Sequence, residues 1–284
     1  MRTFPADDER DDLLDTWQEA APGWGRQADG VREAAMAVSE WMLDHAQLQP
    51  GQTVLELAAG PGDTGFLAAQ RVKPGGRLLS SDAVAAMLEV AKERAAEQGV
   101  DNVEFKQLQI EWIDLPTASF DAVLIKWALM LVVDPSAALR ECRRVLKPGG
   151  MLSLAVWDLA EHNPWVTIPQ QAMVELGHLQ PSEPGALGMF ALASPPQLQE
   201  LLEDAPFFDV IVEPIPFERM YANINAWIGE TIDLSGSFRA AWAELSDEER
   251  RAVRTRVAEL SAAYADAQGA LVLPARSLGA AASA

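Results

Sequence analysis

The sequence predicts an α/β fold in which a mostly parallel, Rossmann-like sheet carries helices on both faces. Three observations predict it. From about residue 52 to residue 158, short β-branched or aliphatic runs alternate with helical patterns, the signature of βαβ units. The first of these runs ends in a glycine-rich turn, AAGPGDTG. The second ends in an acidic residue, Asp82, at the spacing expected of a nucleotide-binding unit.

Taken in order, residues 8–47 read as helical and carry Trp17, Trp24 and Trp41, with a break expected at Pro22-Gly23. Strands are predicted at 53–58, 76–82, 102–108, 121–127 and 151–157, and helices at 64–72, 84–98 and 136–146. Two KPGG segments, 73–76 and 147–150, read as turns that end a helix and lead into a strand. Proline and glycine are frequent between 164 and 196, so that stretch reads as loop with short helices. A helix is expected to open at Ser194 with Pro195 in its first turn, followed by a strand at FFDVIVEPIPF. Ser246 and Glu249 form a capping box for a further helix, and GALVLPARSL supplies a last strand. The organisation that follows is an N-terminal helical lid (1–50), a ligand-binding core (51–158), and a third part (159–284) of lid loops and helices with the last strands.

The net charge of −20 opposes binding to phosphate backbones and anionic headgroups, and the arginines are scattered rather than grouped in a patch. Nucleic acid is therefore not expected as a partner. No apolar run reaches the ~18 residues of a membrane span. The N-terminus MRTFPADDERDD lacks the features of a targeting signal, so a cytoplasmic location is expected. Cys142, the single cysteine, reads as a buried helical thiol, and no cluster with metal-ligand spacing occurs.

Gly60, Gly62 and Gly65 satisfy GxGxxG, and Asp82 stands 20 residues after Gly62. Such a site holds an adenosine through its ribose hydroxyls without saying which cofactor bears it. Glu56, four residues before Gly60, would repel a pyrophosphate and suits a cationic ligand. S-adenosylmethionine, with its sulfonium and amino groups, meets that condition. Met87 is placed to pack beside an adenine or to fill the core. Nothing after the fourth strand has the Tyr-Lys or His arrangement of a dehydrogenase, and Lys126 has no tyrosine near it in sequence.

Together with ELAAGPG, the Phe120-Asp121 pair and the RVLKPGG segment, residues 52–158 resemble the class I methyltransferases of the ubiquinone and menaquinone biosynthesis type. The resemblance implies seven strands with the last antiparallel, and a cofactor lying over the carboxyl ends of the first four. It implies that Glu56, Ala58, Gly60 and Gly62 hold the methionine moiety of S-adenosylmethionine. Asp82 and the adjoining Ala83 would serve the ribose, with Met87, Gln109, Ile110 and Glu111 around the adenine and Lys126 at the end of the fourth strand. Two departures stand out: the family usually has glycine at Ala58 and aspartate at Gln109.

Methyl transfer from a sulfonium needs alignment above all, and a base only when the acceptor is protonated at neutral pH. His162, after the fifth strand, is the candidate base. Trp17, Trp24, Trp127 and Trp165 are candidates to line an acceptor pocket, which points to a planar or lipophilic small molecule. An NAD-dependent oxidoreductase and an inactive methyltransferase-like binding protein are the alternatives. The acceptor, the atom methylated and the oligomeric state stay open.

Overall fold

A computed structural model describes residues 5–181 and 187–284; residues 1–4 of the expected N-terminal lid and 182–186 of the expected loop lie outside it. The elements are α1 (Pro5–Ala34), α2 (Met36–His45), β1 (Thr53–Leu57), α3 (Asp63–Arg71), β2 (Arg77–Asp82), α4 (Ala85–Glu97), β3 (Val103–Gln107), β4 (Phe120–Lys126), α5 (Pro135–Val145) and β5 (Leu146–Trp157). There follow α6 (Pro164–Glu175), α7 (Pro195–Asp204), β6 (Phe208–Tyr221), α8 (Ile224–Leu234), α9 (Gly236–Glu244), α10 (Asp247–Leu260) and β7 (Leu271–Ser283).

The seven strands form one sheet in the order β3-β2-β1-β4-β5-β7-β6. β1 to β5 pair in parallel, and β7 runs antiparallel to both β5 and β6, as the sequence implied. β1 and β4 are the central strands: Val54, Leu55, Ala122, Val123, Leu124 and Ile125 are all fully enclosed, which explains why they read as unbroken apolar runs. The order reverses between β1 and β4, which puts the open crevice at the carboxyl ends of these strands. On one face α2 packs beside α3; on the other α5 packs beside α7. Gly279 of β7 lets α2 approach the sheet, since a Cβ there would lie 2.6 Å from the Trp41 ring. Cys142 is buried in α5, and burial raises its thiol pKa, so it is inert packing.

Three local expectations are corrected. α1 is one helix of 30 residues and runs straight through Pro22, so the break expected at Pro22-Gly23 does not exist. Pro22 and Gln18, whose carbonyl loses its partner, are both exposed, so water can satisfy that carbonyl. Gly23 is a point of close approach instead: a Cβ there would lie 2.2 Å from the Asp233 carbonyl oxygen of α8. The 164–196 stretch contains a 12-residue helix, α6, which accommodates Pro164 in its first turn and Pro169 inside. The second KPGG segment belongs to β5, where the ladder with β4 slips between Phe120 and Ala122. The capping box at Ser246 and Glu249 forms as expected, as do the Ser194 helix start and the last strand.

Candidate active site

The glycine turn leaves β1 through Ala58 and enters α3 at Gly62. Ala58 has φ +49°, Gly60 +53° and Gly62 +90°, so three turn residues lie in the left-handed region. Only glycine occupies that region without cost, which is the physical reason for a glycine at the Ala58 position in the family. Ala58→Gly should stabilise the fold by about 0.5–1 kcal/mol, the relief of left-handed strain less the added freedom of the unfolded chain. Urea unfolding checks this, and an unchanged or lower midpoint counts against it.

Beneath the turn, Glu56 is almost fully enclosed. One carboxylate oxygen accepts from the Gly65 N–H at 2.7 Å and the other from the Ser80 hydroxyl at 3.2 Å. Lys126 adds a cation whose pKa is lowered by burial, partly offset by Asp63 and Glu56. Glu56 thus braces the loop from below, and its oxygens are engaged by protein groups. Burial raises its carboxyl from the usual 4.5 to about 7, against the opposing Gly65 N–H, Lys126 and Ser80.

A carboxyl group whose pKa is raised by folding costs stability once the unfolded chain can lose its proton. The Glu56 contribution is therefore intact below about pH 4.5, declines as pH rises towards 7, and is flat above. A rise of the carboxyl from 4.5 to about 7 corresponds to a total decline of about 3 kcal/mol. Glu56→Gln should remove this slope from the stability profile. Parallel parent and variant profiles between pH 5 and 8 would overturn the assignment.

Asp82, at the end of β2, is 7% exposed and joins two neighbouring elements. Its Oδ2 accepts from the Gly60 N–H and its Oδ1 from the Val84 N–H, each at 2.9 Å. Burial raises the Asp82 pKa, while these backbone donors oppose the rise. These backbone donors, with the Ala83 N–H, leave lone pairs on the carboxylate for hydroxyl donors. Ala83 is held by its carbonyl, which accepts from the Gln107 amide at 2.8 Å.

Met87, on the first turn of α4, is buried with Val84 and Ala21, and Trp17 and Trp24 pack against them. The two indoles lie 6.0 Å apart, tilted at 56°. α1 therefore lies over the start of α4, close to Asp82. Among the described residues it is fastened at three places. Arg10 bonds both carboxylate oxygens of Glu111 at 3.0 Å. Arg94 bridges Asp29 of α1 to Asp63 of α3, at 3.1 and 2.6 Å. Asp233 receives Arg26 and, at 2.6 Å, Gln27.

After β3, Gln109 is exposed and Ile110 buried. Glu111 also accepts from the Asp134 N–H at 2.8 Å, so its carboxylate faces α1 and the start of α5. Trp127 and Trp165 are 8% and 9% exposed. They belong to an aromatic group in which Trp127 stacks on Trp157 at 4.2 Å and Trp157 meets Trp165 at 5.1 Å. Both indole N–H groups are satisfied, by Ser277 and Asn163. These rings are walls packed into the core rather than surfaces open to solvent.

His162 lies in a helical turn after β5, with its Nδ1 3.3 Å from Asp158 Oδ2. Arg276 of β7 bonds Asp158 and also meets the imidazole. This clamp accounts for the position of His162 without a catalytic role. The sequence reading passed over Arg10, Asp63, Arg94 and Arg276. No local pattern marks them, because their partners lie 31 to 118 residues away. Among the described residues no group of three or more His, Cys, Asp or Glu is placed to hold a metal. No helix among them is long and apolar enough to cross a membrane.

Comparison with known proteins bears out the resemblance read from the sequence. Residues 48–183 match a family model described as a methyltransferase domain. The ubiquinone/menaquinone biosynthesis C-methyltransferase UbiE of Hahella chejuensis is 39% identical over 111 residues, covering 39% of this chain and 45% of that protein. The UbiE of Coxiella burnetii is 31% identical over 156 residues, covering 53% and 61%. The chain thus spans about half the length of the curated relatives it matches first. A putative methyltransferase from Bacillus halodurans has the same fold, with TM-score 0.58 and 18% identity over 86% of this chain and 97% of that one.

Proposed function

From the premise that residues 48–183 form a methyltransferase domain, we propose that the protein transfers a methyl group from S-adenosylmethionine to a planar or lipophilic small molecule. The observation that carries the reading is the Asp82 carboxylate, fixed between Gly60 and Val84 at the switch point of the sheet. A ribose diol can donate to that carboxylate while the left-handed turn at Ala58 to Gly62 admits the methionine portion. The residues present fit this cofactor, which supplies an activated methyl group. Glu56 and Lys126 keep the loop in shape from below, and Ile110 and Met87 offer apolar contact for an adenine.

In-line displacement at the methyl carbon asks the protein chiefly to align donor and acceptor and to exclude water. α1, which packs on α8 and over the start of α4 beside Asp82, is placed to serve that purpose. Trp127, Trp157 and Trp165, enclosed in the core and stacked on one another, stiffen this part of the fold and do not themselves face an acceptor, which is proposed as planar. The UbiE relatives support one of quinone type. For a phenol or an acidic carbon a base is needed, and His162, whose imidazole is engaged by Arg276 and Asp158, would have to leave that clamp to take the proton.

The test is calorimetry with S-adenosylmethionine, S-adenosylhomocysteine and NADH, followed by turnover on a panel of quinols, phenols and amines. The two sulfur ligands should bind with EDTA present, and a quinol should be methylated. Binding of NADH alone would favour the oxidoreductase. Cofactor binding with no turnover on any acceptor would favour the binding protein.

A further inference from the structure

We propose that Trp24 of α1 donates its indole N–H to a ribose hydroxyl oxygen of the bound cofactor, making the N-terminal helix part of the cofactor site. The inference rests on the cofactor reading above. Trp24 Nε1 is enclosed, yet it has no acceptor among the described residues. Other indoles of the chain are satisfied: Trp127 by Ser277, Trp165 by Asn163, and Trp227 by the Trp165 carbonyl. A buried N–H without an acceptor is costly, and a ligand that brings the acceptor removes the cost.

The place of the indole fits that ligand. Trp24 packs against the cluster of Ala21, Val84 and Met87, and the Val84 N–H donates to Asp82 Oδ1. The ring therefore lies on the turn that holds the ribose-binding carboxylate. Gly25, next along α1, faces α4, where a Cβ would make ordinary contact with the Val90 methyls at 3.4 Å. A hydroxyl that gives its proton to Asp82 keeps two lone pairs on oxygen, and an indole can only donate. Asp82 and Trp24 thus supply an acceptor and a donor to one diol.

The test is Trp24→Phe, which keeps an aromatic ring and removes the N–H. Calorimetry with S-adenosylhomocysteine should give about five- to tenfold weaker binding than the parent, the usual effect of one buried hydrogen bond. The melting temperature of the ligand-free protein should fall by no more than the lost packing of the larger ring accounts for, because no protein acceptor loses its donor. With 2′-deoxy and 3′-deoxyribose analogues of S-adenosylhomocysteine, the gap between parent and variant should close for one of the two. Equal affinity of parent and variant for S-adenosylhomocysteine, or the same gap on both analogues, overturns the proposal. Should the variant fail to fold, the indole 15N–1H spectrum of the parent decides. One of its nine tryptophan resonances should move downfield on ligand addition, and a spectrum without such a shift overturns the proposal. A parent that binds no S-adenosylhomocysteine overturns the cofactor reading itself, an outcome distinct from a parent that binds and a variant that binds equally well.

Discussion

Gly65→Ala should abolish cofactor binding and destabilise the protein by several kcal/mol. A Cβ at this position would lie 2.0 Å from Glu56 Oε2 and 2.9 Å from a Leu78 methyl. Neither neighbour has room to retreat, because Glu56 is tied to Gly65 and Ser80 and Leu78 is fully enclosed in β2. The carboxylate would have to leave its bonds, and a buried acid without partners costs several kcal/mol. Overpacking adds about 1–3 kcal/mol. The same change at Gly60 meets open space, where only the left-handed backbone penalises it, by about 1–2 kcal/mol. Urea unfolding of the two variants in parallel is the measurement. A Gly65→Ala midpoint equal to that of Gly60→Ala would show that the Glu56 brace yields easily and does little to shape the loop.

Asp82→Ala should reduce affinity for S-adenosylhomocysteine by one to two orders of magnitude. The substitution removes the carboxylate proposed for the ribose diol, whose charge-assisted bonds contribute roughly 1.5–3 kcal/mol. It also strips the Gly60 and Val84 N–H groups of their acceptor, so the turn and the start of α4 lose their common anchor. Asp82→Asn separates the two effects. Its amide carbonyl can still accept from one backbone donor, while its NH2 meets the other as a second donor. Calorimetry should rank the parent above Asn and Asn above Ala. If Asp82→Ala bound as tightly as the parent, Asp82 would be a structural cap alone.

The glycine turn and the acid beyond it were legible in the sequence because their determinants are local. The turn Ala58 to Gly62 is set by φ values that glycine tolerates, and the β-α-β alternation by apolar runs, so both leave a pattern within a few residues. Glu56 shows where local reading stops. Its spacing suggested a charge facing a cationic ligand, but the folded chain turns it under the loop, onto Gly65 and Ser80, 9 and 24 residues away. Glu111 likewise read as a wall of the adenine site, and its carboxylate is engaged by Arg10, 101 residues earlier.

Pro22-Gly23 marks the limit of what sequence by itself determines. The pair is the same chemical signal whether it ends a helix or lies within one. Sequence determined the class of the sheet, its strand positions, the capped start of α10, and the residues able to form a glycine turn with an acid beyond it. Each follows from backbone geometry or from periodicity over one element. Only the tertiary structure decided that α1 continues through Pro22, with Gly23 fitted against Asp233 and Arg94 bridging Asp29 to Asp63. Those outcomes depend on close packing and on ion pairs between elements far apart in the chain. The energy that selects them appears only when the elements meet.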